Sequence, residues 1–147
     1  MTLAEYVEKR NGVPIGHSKS LRNNLQRSLG AKNFVAFWNF WNPIFGYYLG
    51  RKIFKPIKKV LPIWTAVILT FIFCGLIHDL VTTLFRGRIS LFFTIWFLFM
   101  GCFVALSKKV GYDLAHKSWI QRAGVNLTII AVCFLMTVVL NIALNFY

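Results

Sequence analysis

Acidic side chains are scarce in this 147-residue chain, with four Asp and Glu against 17 Lys and Arg and a formal net charge of +13. That imbalance calls for a polyanionic partner, either nucleic acid or an anionic membrane surface. Cysteine is sparse too. Cys74, Cys102 and Cys133 are odd in number, far apart, each inside an apolar run, and none belongs to a C-x-x-C pair. A disulfide framework or a zinc site is therefore not expected, and the thiols read as small residues packing between helices. The first ten residues carry Glu5, Glu8, Lys9 and Arg10 and lack the apolar core of a cleavable signal peptide. Insertion into a membrane is then expected to use internal segments.

Apolar residues are what the chain has in excess: 57% are hydrophobic and 17% aromatic, more than a soluble protein can cover. Three runs, 62–85, 89–107 and 125–146, are each long enough to cross a hydrocarbon core, which takes about 20 helical residues. The first contains His78 and Asp79. An Asp near a helix centre costs about 2.5 to 3.5 kcal/mol on insertion, and the many Leu, Ile, Val and Phe of this run each return about 0.3 to 0.6 kcal/mol, so the run still spans. Basic residues crowd ahead of the first run, from Lys9 to Lys59. Only Arg86 and Arg88 lie between the first two runs, and Lys108, Lys109, Lys117 and Arg122 lie between the second and third. This alternation predicts a cytoplasmic N-terminus in a bacterial inner membrane or an intracellular membrane. It also argues against nucleic acid as the partner, because a soluble binder has no use for such an arrangement.

The predicted fold is an all-α integral membrane protein forming a single membrane domain over 1–147. Residues 1–33 form a cytoplasmic surface segment in which Leu21, Leu25 and Leu29 recur every four residues among Lys19, Arg22 and Arg27. Such a helix either lies on the anionic inner leaflet or packs against the protein's own helices. Residues 34–59 are aromatic and then basic, with Trp38, Trp41, Tyr47 and Tyr48 interrupted by Asn39, Asn42 and Pro43. The residue before a proline is pushed out of helical geometry, so a break is expected at Asn42, within an interfacial or re-entrant element. Gly46 and Gly50 are spaced for close helix packing. Asn126 begins a glycosylation sequon but stands at the expected edge of a span, where it reads as a helix cap.

Ionisable residues inside a span most often mark a pathway or a reaction site. His78 lies past the midpoint of its run, too deep to reach water, and should face protein or a cavity. Helical spacing sets Cys74, Gly75, Val81 and Thr82 on its face. Gly75 would admit a close neighbour, and the Thr82 hydroxyl would orient the ring. Asp79 points about 100° away and is expected to pair with Arg86 or Arg88 or to face a water-filled cavity. A bland reading of His78 is an interhelical hydrogen bond.

Three motifs stand in order: Phe37-Trp38-Asn39-Phe40-Trp41-Asn42-Pro43, then Arg51-Lys52-Ile53-Phe54-Lys55-Pro56, then Phe73-Cys74-Gly75-Leu76-Ile77-His78-Asp79. Together they resemble the membrane-bound O-acyltransferase family, especially the C-terminal catalytic core of its sterol acyltransferase, diacylglycerol acyltransferase and wax synthase branch. The likeness covers about residues 34 to 140. It implies an O-acyltransferase that moves an acyl group from acyl-CoA to a hydroxyl of a lipid-like or exported acceptor, with no metal and no redox cofactor. It implies His78 and Asn42 as catalytic residues, and Trp38, Asn39, Trp41 and Thr82 as substrate contacts. Imidazole suits removal of the hydroxyl proton as oxygen attacks, and an amide suits the developing oxyanion. Arg51, Lys52, Lys55, Lys58 and Lys59 would draw the phosphates of coenzyme A, although topology and anionic lipid account for the same residues. Family members are several times longer, so three spans are expected to self-associate or to join a partner membrane subunit. A noncatalytic scaffold or lipid-binding subunit with the same fold is the principal alternative. A small proton or ion conductor is a third, disfavoured because the later spans have no ionisable residue at their centres.

Overall fold

The computed structural model describes residues 1–144, and every regular element among them is helical. α1 (Leu3–Asn11) opens with a capping box in which Thr2 and Glu5 satisfy each other's backbone N–H groups. α2 (Ser20–Leu29) follows, then α3 (Phe34–Phe40) and α4 (Pro43–Leu49). A π-helical turn (Gly50–Phe54) leads into the short α5 (Lys55–Ile57). Pro56 has no N–H to donate, and the widened turn just before it absorbs that interruption.

α6 (Ile63–Arg86), α7 (Phe92–Val110) and α8 (Trp119–Ala143) are the three helices long and apolar enough to cross a membrane. At most 28% of the most apolar stretch of each is buried inside the protein. Their outward faces carry residues such as Leu84, Phe85, Leu135 and Val139, all largely exposed, and in water such a surface would be prohibitive. The first two helices stop at Gly87 and Gly111, whose left-handed backbones let each N–H reach back to Thr83 and Ser107.

The spans match the sequence expectation closely at α6 and less so afterwards. α7 starts three residues late, because Asp79 fixes its first turn. α8 begins at Trp119 rather than 125, because Ser118 and Gln121 form a second capping box. Residues 145 and 146 of the expected third span lie outside the described residues. Asn126 is consequently no cap. It is buried two turns inside α8, and its Nδ2 donates to the carbonyls of Leu29 and Ala31, each at 3.0 Å.

Contact between α6 and α7 is the most extensive in the molecule. Gly75 makes it possible, since a Cβ there would stand 2.6 Å from the Phe93 carbonyl oxygen and the Thr94 Cα. Phe97, Met100, Val104 and Ser107 line the buried face of α7 at spacings of three and four. Phe34, Phe37, Cys74 and Cys133 join them in one core. Residues 34–49 of the aromatic segment therefore pack against the long helices, and their contacts climb the bundle. Phe34 N–H donates to the Tyr112 hydroxyl beyond the end of α7, Trp38 meets Phe71 and Phe97, and Phe45 reaches His78.

α2 turns Leu21 and Leu25 outward, packing Ser28 inward instead, where its hydroxyl bonds the Asn24 carbonyl. Leu21 is largely exposed and Leu25 partly so, and of the three leucines only Leu29 packs against the core. Lys55, Lys58 and Lys59 lie just before α6, Lys108 and Lys109 in the last turn of α7, and Lys117 and Arg122 around the start of α8, so cations gather where α6 starts, α7 ends and α8 starts. This is called the basic end below.

Candidate functional site

His78 is half-buried on α6 at the level where α7 begins. Its Nδ1 lies 2.8 Å from the Cys74 carbonyl oxygen, one turn back. A carbonyl oxygen only accepts, so Nδ1 carries the hydrogen, and in the neutral ring Nε2 keeps its lone pair. The rest of the ring is enclosed by aromatics. Phe97 stacks on it with centroids 5.1 Å apart, Phe93 lies tilted at 5.6 Å, and Phe45 presents an edge at 6.2 Å. Phe93 and Phe97 share a face of α7 four residues apart, a spacing visible in the sequence that reasoning from the histidine alone passed over.

Asp79 does something the sequence reading did not anticipate. It is buried, and it pairs with neither Arg86 nor Arg88. One carboxylate oxygen accepts the N–H of Phe93 at 3.0 Å, and the other accepts the N–H of Thr94 at 2.7 Å and its hydroxyl at 2.6 Å. The free N–H groups of a helix start need acceptors, and an anion there is also favoured by the helix dipole. Asp79 supplies both from a neighbouring helix, and it thereby sets the height of Phe93 and Phe97 against His78.

Thr82 is likewise displaced from its expected role. Its hydroxyl donates to the Asp79 carbonyl at 3.0 Å, a bond within α6 rather than to the imidazole. The ring is oriented by the Cys74 carbonyl instead.

Asn42 is where the chain breaks between α3 and α4. With φ 40 and ψ 70 it is the one non-glycine residue of positive φ among the described residues, a conformation that asparagine tolerates better than most. Its Oδ1 accepts the Phe45 N–H at 3.2 Å, capping α4. Asn42 is exposed, one helical turn from the phenylalanine whose edge meets His78. The two motif residues are thus joined through Phe45.

The aromatic motif divides between core and surface. Trp38 stands edge-on to Phe71 at 4.9 Å, with its indole Nε1 buried and without a hydrogen-bond partner. Trp41 stacks on Phe37 at 5.5 Å and is partly exposed. The backbone carbonyl of Asn39 accepts from Arg10 of α1. Asn39 helps line a concavity of about 280 Å³ with Tyr6, Lys9, Arg10 and Phe40. A larger one, of about 690 Å³, opens between α2 and the start of α8. Neither concavity is lined by His78. Gly46 and Gly50 face open space or only the Tyr6 hydroxyl, and among the described residues no group of His, Cys, Asp and Glu is arranged to hold a metal.

Comparison with family models, with curated proteins and with solved structures gives no match for this chain.

Proposed function

We propose that this chain is a membrane O-acyltransferase of the membrane-bound O-acyltransferase type, moving an acyl group from acyl-CoA to the hydroxyl of a lipid-like or exported acceptor. The observation that carries the reading is the tethered imidazole, whose Nδ1 is committed to a backbone carbonyl so that Nε2 is the basic nitrogen. In the reaction Nε2 takes the hydroxyl proton as the oxygen attacks the thioester carbonyl. The C–S bond then breaks, and the leaving thiolate takes the proton back from the imidazolium. Asn42 Nδ2 hydrogen-bonds the oxyanion that develops, while its Oδ1 holds the cap of α4. The unpartnered Trp38 N–H, one aromatic contact from the imidazole through Phe97, is a donor for an acyl carbonyl. In this reading the basic end is cytoplasmic, and Arg51, Lys52 and Lys55 face the coenzyme A phosphates. Trp41 and Asn39 then belong to the acceptor's path, and a second copy or a partner membrane subunit completes the enclosure.

A second reading rests on the aromatic shell. An imidazole stacked on Phe97 and flanked by Phe93 and Phe45 is also what a purely packed histidine looks like, and the chain would then be a noncatalytic scaffold or lipid-binding subunit. One experiment separates the two. Purified protein and its His78→Ala variant are incubated with labelled acyl-CoA and native membrane lipid, and ester product is measured by mass spectrometry. Loss of a general base predicts a fall of about 10² to 10⁴-fold. Equal product from both proteins, or none from either, sinks the transferase reading.

A further inference from the structure

The concavity of about 690 Å³ at the basic end is built unlike a chance groove. Its walls carry Arg27, Lys32 and Arg122, the indole of Trp119, and an apolar floor that includes Ala36 and Phe40. Three cations meet there with one carboxylate nearby, Asp113, which is bonded to Lys32. Arg27 donates only to a neutral acceptor, the Arg10 carbonyl, at 3.0 Å. The Nε of Arg122 is buried with no hydrogen-bond partner. A guanidinium nitrogen shut from water without an acceptor is costly, and this one lacks an anion beside it.

The nearby carbonyls do not fill that role, since none lies within hydrogen-bonding reach of Arg122 Nε and each bonds another side chain. Gln26 O accepts the Trp119 indole N–H at 2.9 Å, and the carbonyls of Leu29 and Ala31 accept Asn126. The concavity also lies at the start of α8, a helix long and apolar enough to cross a membrane. Trp119 and Arg122 belong to the first turn of a spanning helix, and the neighbouring Ile120 and Leu25 are exposed beside it. A polar cationic mouth continuous with an apolar lip fits a molecule with a phosphate at one end and acyl chains at the other.

We propose that this concavity is a binding site for the phosphate headgroup of an anionic phospholipid, held by Arg122 with Lys32 and Arg27 and stacked against Trp119, its acyl chains passing over Ile120. The site is separate from His78 and stands whether or not the chain transfers acyl groups.

The test uses the full chain purified from vesicles of phosphatidylcholine containing phosphatidylglycerol, with retained lipid counted by native mass spectrometry. Phosphatidylglycerol is retained in preference to phosphatidylcholine, and Arg122→Gln lowers that preference about fivefold, as removal of one interfacial cation should. Asp113→Asn, an exposed change that removes the only nearby negative charge, raises it by a similar factor. Lys58→Gln with Lys59→Gln leaves it unchanged. Equal retention of the two lipids overturns the proposal, as does an equal fall in the Lys58/Lys59 variant, which would mean a diffuse basic belt. Displacement of phosphatidylglycerol by millimolar pyrophosphate, with pyrophosphate retained in an Arg122-dependent way, assigns the site to soluble phosphate esters and overturns the lipid. If Arg122→Gln does not fold, Asp113→Asn decides, and an unchanged lipid ratio there defeats the proposal.

Discussion

The two ends of the bundle are joined by different means. At the end where α6 passes α7, one carboxylate takes three donors of the facing helix and one glycine brings the backbones together. At the basic end, α2 meets α8 through dispersed bonds from Asn126, the Trp119 indole and, in the adjoining loop, the exposed Lys32–Asp113 pair. Asp79 is buried and the first turn of α7 is half-buried against α6, so a single strong acceptor is concentrated on that helix start. At the basic end the Trp119 and Lys32 bonds are exposed, where water can replace either one, and the buried Asn126 adds the one enclosed contact of the three. The comparison locates rigidity around His78 and adaptability around the cationic concavity.

The sharpest way to break that contrast is Asp79→Ala. It strips the first turn of α7 of its acceptor, and leaving such a group without its charged partner costs about 1.5 to 3 kcal/mol. A loss of about 3 kcal/mol in unfolding free energy measured in bicelles is expected, with faster hydrogen exchange at the Phe93 and Thr94 amides. Full stability with unchanged exchange would mean that Asp79 is not holding α7. At the other end Asn126→Ala should cost less. Interhelical side-chain bonds in membranes average about 0.6 kcal/mol and rarely exceed about 1.7, so a loss of about 1 kcal/mol is expected, with faster proteolysis between α2 and α3 as its local sign. A cost for Asn126→Ala matching that of Asp79→Ala would erase the distinction between the ends.

Much of this layout was readable beforehand, and the failures share a cause. The spans follow from apolar length and the break at Asn42 from the proline after it, because both are properties of local sequence. Gly75 as a point of close approach followed from its place on the face of His78. What the sequence hid is what Asp79, Thr82 and Asn126 bond to. Each is a polar residue on an apolar helix whose partner is set by the register of another element or by its own backbone. Asp79 was matched to arginines by charge, yet the winning partners are backbone N–H groups fourteen and fifteen residues on, which no composition rule marks. For His78 the reading from sequence supplied a face and a depth, while the aromatic enclosure depended on how α4 and α7 dock. The positioning of Asn42 relative to His78 through Phe45 depends on that docking as well.

The smallest expected effect concerns the Lys32–Asp113 contact, and pH reads it directly. The hydrogen bond from Lys32, followed by the Ala115 N–H, holds the Asp113 carboxyl below its ordinary value of 3.8. A carboxyl lowered in the folded state binds its proton less readily there than in the unfolded chain. Its contribution is therefore complete above the ordinary carboxylate value and is lost as pH falls through the lowered one. Asp113→Asn removes that contribution at every pH. Unfolding midpoints of the two proteins should differ slightly and constantly above about pH 5 and converge only as pH falls through the lowered value. With both side chains about half exposed, the pair is screened, so the difference should also shrink in molar salt. A gap that widens on acidification would reverse the sign and show that the loop after α7 is held by something other than this charge.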